Sequence, residues 1–209
     1  MLGKTHVSFG LFLGAAGASG VALITQDSFK LESLIIFYAG ITLGALLPDI
    51  DEPNSIIGQK TLGVSNIFKA IFKHRGFTHS LFFVFLLGIL LFICGAFLGN
   101  NVNFNALLKE IPFFYGFIRD AFNVSLNVDF GAWFEIFSFA LLLGCLFHIL
   151  GDMMTISGVP LMLPFSAKNY NALPKLLRFK TGGVVDLAVA AFSFLGFVFL
   201  NIKILGFHL

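Results

Sequence analysis

Five apolar runs, at roughly 7–24, 33–47, 80–98, 132–150 and 184–201, set the limits on what this chain can fold into. A helix that crosses the hydrocarbon core of a bilayer needs about 20 mostly apolar residues. Inside lipid every backbone N–H and C=O must be paired within the segment, so runs of this length fold as helices. The second run is short, because Pro48 follows it. The sixth apolar stretch, "ALLKEIPFFYGFI" at 106–118, is shorter still and carries Lys109, Glu110 and Pro112. It reads as an interfacial or re-entrant helix. The expectation is one all-α, polytopic membrane domain over 1–209 with about five transmembrane helices.

Composition agrees. Charged residues make up 11% of the chain, against about 25% in a soluble domain, and the mean hydropathy is +0.93. The 29 phenylalanines suit helix faces turned to lipid. The basic residues are spread out with no aromatic cluster around them, which excludes a nucleic-acid surface. Cys94 and Cys145 both fall inside apolar runs and read as packed free thiols. The first run, with Lys4 before it and "AAGASG" within it, also fits a cleaved signal peptide. Gly10, Gly14 and Ala18, four apart, instead make it a packed span with a small-residue face.

Orientation follows from the distribution of cations. With the N-terminus inside, the inner segments hold nine lysines and arginines and the outer segments hold four. The expected arrangement is therefore a cytoplasmic N-terminus and an outer C-terminus in a bacterial inner membrane.

This arrangement gathers the polar residues on one face. His6 opens helix 1. Asp49 and Asp51 follow helix 2, between Pro48 and Pro53, where proline halts the helix. His74 and His79 precede helix 3 in "HRGFTHS", where Gly76 can break the chain's helical path and Thr78 can cap the helix. His148 and Asp152, spaced i and i+4, share one face at the end of helix 4. Ionisable groups at the edge of a membrane span are costly, which points to function.

Imidazole and carboxylate together are ligands for zinc, manganese or iron. Without cysteine, a mixed site with water-filled positions is of the catalytic kind. Four histidines and three aspartates can supply one or two ions, and paired ions serve phosphoester hydrolysis. Arg75 cannot ligate a metal. Its planar guanidinium suits a two-pronged grip on an anion. The segment 151–183 adds "KNYNALPKLLRFKTGG", a basic stretch suited to anionic lipid, with Arg178 and Lys180 as further candidates to bind the substrate.

The motifs "TH" at 5–6, "GALLPDIDEPNS" at 44–55, "HRGFTHS" at 74–80, "HILGDMMTISGVPLMLPFS" at 148–166 and "RFKTGG" at 178–183 resemble the YdjM-like family. Its members are bacterial inner-membrane proteins described as predicted metal-dependent hydrolases, some of them LexA-regulated. The resemblance spans nearly the whole chain except 99–130. It implies that His6, Asp49, Asp51, His74, His79, His148 and Asp152 are the metal residues, and it singles out Thr155, Gly158 and Pro164 in the loop after helix 4. The family often carries an acid soon after "TG"; here the nearest is Asp186.

The functional expectation is a metal-dependent hydrolase of a phosphoester in a lipid or amphipathic substrate. Zinc is the first choice of metal, Asp51 the candidate base, Arg75 the anion grip, and membrane lipids the partners. Two alternatives are a divalent-metal transporter and a non-catalytic membrane adaptor with a structural metal. A transporter would place its ligands near the bilayer midplane in repeated halves. Neither feature is visible in this sequence.

Overall fold

The structure is a computed structural model, described here for residues 1–25, 29–61, 65–66, 76–101 and 130–204. Among these residues it is all-helical, with no strand beyond two isolated bridges. Its helices are α1 (Gly3–Thr25), α2 (Leu31–Leu46), α3 (Leu81–Asn101), α4 (Phe130–Met153) and α5 (Val184–Ile204). Among the described residues, five segments are long and apolar enough to cross a membrane. The stretch 106–118 lies outside the described residues.

Small residues decide which helices meet. α2 and α4 form the closest pair, joined along Gly40 and Gly44 on one side and Ala140 and Gly144 on the other. A Cβ at Gly40 would stand 2.7 Å from the Ala140 Cβ, and one at Gly44 would stand 2.9 Å from the Gly144 Cα. In lipid there is little hydrophobic gain from helix contact, so close backbone approach and dispersion hold such pairs together. Gly10, Gly14 and Ala18 of α1 are buried as expected, and the two glycines face Phe37, Ile41 and Ala45 of α2. α5 packs along α1. It is also tied to α2 by the Tyr38 hydroxyl, which donates to Asn201 Oδ1 at 2.9 Å.

Phe92 and Phe97 of α3 and Phe192 and Phe199 of α5 remain exposed, as lipid-facing positions should. Cys145 is buried, Cys94 is half-buried, and both are free.

Helix 3 starts two residues later than Thr78 as its cap would require. Phe77–His79 forms a tight turn, and Ser80 is the residue directly before α3. The Phe83 backbone N–H donates to Ser80 Oγ at 3.1 Å, so Ser80 is the cap. Thr78 is displaced from that role because its hydroxyl is used elsewhere.

The loop between α4 and α5 folds back on itself. Val159 and Tyr170 exchange two backbone bonds of 3.1 and 2.8 Å, and Ile156 N–H donates to the Phe179 carbonyl at 3.0 Å. Gly158 makes this return possible. Its φ is +61°, and a Cβ would stand 2.8 Å from Asn171 Nδ2. The loop is pinned to α3 by Leu81 N–H, which donates to the Leu161 carbonyl at 3.0 Å.

Candidate metal centre

One end of the bundle collects histidine and aspartate side chains from four separate segments of the chain. His6 comes from the first turns of α1. Pro48 opens a 3-10 turn, Leu47–Asp51, that continues α2 and carries Asp49 and Asp51. His79 closes the tight turn before α3, and His148 and Asp152 lie on the last turns of α4. His6, His79, His148, Asp51 and Asp152 are each 1% exposed or less. Asp49 keeps 16% of its side chain exposed and marks the open side.

Two overlapping sets of ligating atoms meet there, His79, His148 and Asp152 in one and His6, Asp49 and His148 in the other, each with its atoms within 4.8 Å of one another. His79 Nε2 and His148 Nε2 are 3.3 Å apart. Asp49 Oδ1 is 3.6 Å from His79 Nε2 and 3.7 Å from His148 Nε2. Asp152 Oδ2 is 3.7 and 4.0 Å from the same two nitrogens. The contacts to carboxylate oxygen are too long to be hydrogen bonds. They are close to what a shared ion would impose: bonds of about 2.0–2.2 Å give tetrahedral edges of about 3.3 Å or a little more. Asp152 is buried and Asp49 largely so, and the Met1 amino group offsets only part of their charge, which leaves negative charge for a divalent cation. The residues present therefore fit such an ion.

Both imidazoles are held from behind. His148 Nδ1 lies 2.7 Å from the Ala45 carbonyl, which makes Nδ1 the donor and leaves Nε2 with its lone pair. The Ala45 carbonyl is in the last turn of α2, where carbonyls lack intrahelical donors. His79 Nδ1 lies 3.1 Å from the Thr78 hydroxyl, which donates to Asp51 Oδ2 at 2.9 Å. Asp51 thus faces the far side of His79, 3.9 Å from Nδ1. A carboxylate behind an imidazole fixes its tautomer and aims its other nitrogen.

His6 stacks on His148, with ring centroids 3.6 Å apart and planes at 12°. Its Nε2 is 3.2 Å from Asp152 Oδ1, and the Met1 amino group contacts the same oxygen. Neither ring nitrogen of His6 makes a hydrogen bond.

Asp186, buried at the start of α5, accepts backbone N–H bonds from Gly182 at 2.7 Å and Leu2 at 3.1 Å. It secures the "TGG" turn, where Gly182 has φ +74°, to the chain entering α1. Arg178 donates its Nε–H to the Leu173 carbonyl at 2.9 Å, and Lys180 is exposed. Thr155 donates its hydroxyl to the Asp152 carbonyl at 2.7 Å and so closes α4 behind the site. His74 and Arg75 lie outside the described residues.

Sequence reasoning missed the Gly40/Gly44 and Ala140/Gly144 seam that brings Asp49 beside His148. The four-residue spacing on both helices was the available signal. It also missed the stack of His6 on His148, for which the sequence carries no signal.

The family model described as YdjM inner membrane protein matches residues 1–206. The chain is 35% identical to inner membrane protein YdjM of Escherichia coli (strain K12) over 122 residues, which is 58% of this chain and 46% of that protein. The protein of the same name from Shigella flexneri gives the same figures. The chain is 27% identical to uncharacterized protein YvsG of Bacillus subtilis (strain 168) over 191 residues, 91% of this chain and 88% of that one. It therefore covers less than half the length of the YdjM proteins, at 46%. No solved structure matches it. With five segments suited to crossing a membrane and a match over nearly its full length, this chain is a multi-pass membrane protein and belongs to the YdjM inner membrane protein family.

Proposed function

We propose that this protein is a membrane-embedded, metal-dependent hydrolase acting on a phosphoester in a lipid or amphipathic substrate, with its site at the cytoplasmic face. The observation that carries the reading is the convergence of His79, His148, Asp49 and Asp152 at ion-sharing distances. Zinc suits this donor set best, with manganese and iron next. A divalent ion held there supplies Lewis-acid polarisation and activates water at neutral pH.

The chain's own residues supply the rest. His148 and His79 present Nε2 because Ala45, Thr78 and Asp51 fix their other nitrogens. On this reading Asp51, behind His79, supports that imidazole rather than acting as the base. Asp49 stands on the side from which water and substrate arrive. Arg75 grips the anion, and Arg178 and Lys180 draw anionic headgroups to the face.

A second reading, a structural metal in a non-catalytic membrane adaptor, is favoured by one observation: the near-complete burial of the ligand set. Closed four-ligand sites are the structural kind. The transporter reading has less support, since the ligands sit at one end of the bundle. Elemental analysis of the purified chain, combined with a panel of phosphoester substrates and chelator controls, separates these. Bound metal with chelator-sensitive turnover supports the hydrolase. Bound metal with no turnover on any phosphoester supports the adaptor. An active protein without metal overturns both.

A further inference from the structure

We infer that the centre holds a single ion, on His79, His148, Asp49 and Asp152, and that His6 stands outside its coordination as a positioning residue. The inference rests on the metal-centre reading above and deepens it.

The nitrogen lone pair of an imidazole lies in the plane of its ring. His6 and His148 are stacked, 3.6 Å between centroids and 12° from parallel. An ion midway between those planes would lie roughly 1.8 Å out of each, while its bond to nitrogen is about 2.0–2.1 Å. It would approach both rings steeply, where no lone pair points. His6, Asp49 and His148 have ligand atoms within 4.8 Å of one another, yet stacking prevents the two imidazoles from sharing an ion. His79 has no such conflict, because its ring is inclined to His148 by 66°.

The count of ions follows from the same residues. The Nδ1 of His148 is committed to the Ala45 carbonyl at 2.7 Å, so only Nε2 is available, and it faces His79. One lone pair serves one ion. Among the described residues, a second ion would have His6 and Asp152 Oδ1, with Asp49, already turned to His79 and His148, as a bridging third ligand at most. Such an ion would have no ligand of its own beyond His6, short of the three protein ligands usual for a catalytic zinc.

The position of His6 suits a different task. Its ring covers one face of His148, and its Nε2 lies 3.2 Å from Asp152 Oδ1, the oxygen turned away from His79. Gly151 leaves space for it, since a Cβ there would stand 3.2 Å from His6 Nδ1. His6 thereby limits the rotation of His148 by its stack and lies beside Asp152 Oδ1, which leaves Nε2 and Oδ2 turned to the ion.

The test uses the full chain purified in detergent and loaded with zinc or cobalt. Metal per chain is measured by elemental analysis, and the number of bound imidazoles by X-ray absorption. The expected result is about one ion with two imidazoles. His6→Phe keeps the stacked ring without its nitrogens and should still hold about one ion, whereas His79→Ala and His148→Ala should lose it. Three imidazoles, or two ions per chain, overturn the inference and leave the metal reading intact. So does loss of the ion in His6→Phe with the helices preserved. Should that variant fail to fold, the imidazole count of the wild type decides alone. No bound ion under any loading overturns the metal reading itself.

Discussion

Gly44 of α2 and Gly144 of α4 meet backbone to backbone, so that a Cβ on either would stand 2.9 Å from the other's Cα. The contact lies five residues before Asp49 and four before His148, so it sets how far apart those ligands sit. Gly144→Ala should force the helices apart. Overpacking of this kind costs about 1–3 kcal/mol. The expected outcome is a lower melting temperature in detergent together with weaker metal binding, read by thermal unfolding and by chelator competition on the same samples. Unchanged values of both would mean that the seam tolerates a methyl group and does not set the site.

Thr78 is the link between Asp51 and His79. Thr78→Val keeps the shape and removes the hydroxyl, so His79 loses the group that holds its Nδ1. Loss of such an outer partner lowers metal affinity by about 10–100-fold. Asp51→Asn should act in the same direction, with the helical content unchanged by circular dichroism. If Asp51→Asn instead abolishes binding entirely while Thr78→Val is silent, Asp51 is a ligand in its own right.

Arg75 is proposed to hold the substrate's anion and not the metal. Arg75→Lys should keep the metal content of the wild type. It should lower kcat/KM by about 10- to 150-fold, the equivalent of a charged hydrogen bond worth about 1.5–3 kcal/mol. An ammonium cannot reproduce the two-pronged contact. Equal turnover in the two proteins would pass the anion-binding role to Arg178 or Lys180.

On the proposed reading, the cation distribution predicts a site on the cytoplasmic side. A reporter fused after residue 60 should read inside, and one at the C-terminus should read outside. The reverse pattern would move the centre to the other face, with its substrate drawn from there.

Much of this architecture is legible in the sequence, and the parts that are not have identifiable causes. The five spans stand out because a bilayer fixes their length. Their ends are harder to place: α1 begins at Gly3 and α4 runs to Met153, because the terminal turns carry Thr5, His6 and Asp152, which a search for apolar residues leaves out. That His79, His148, Asp49 and Asp152 share an end of the bundle follows from the alternation of the spans. That Asp51 faces the far side of His79 depends on the rotation of the turn Leu47–Asp51, and that Ser80 rather than Thr78 caps α3 depends on the turn Phe77–His79; no periodicity reveals either. The stack of His6 on His148 is a matter of ring orientation, which only packed neighbours decide.

The bond from His148 to the Ala45 carbonyl ties the centre to the backbone of a second helix. A ligand that also closes a helix end is hard to exchange. Cysteine or aspartate in its place could still offer an atom to a metal, but neither carries the ring N–H that the carbonyl requires. The usual route to a new metal preference, swapping one ligand for a softer or harder one, is therefore obstructed at position 148. On the metal-centre reading, Asp49, partly exposed and on a turn rather than within a packed helix, is the position where selectivity among metals can be retuned with least disturbance of the bundle.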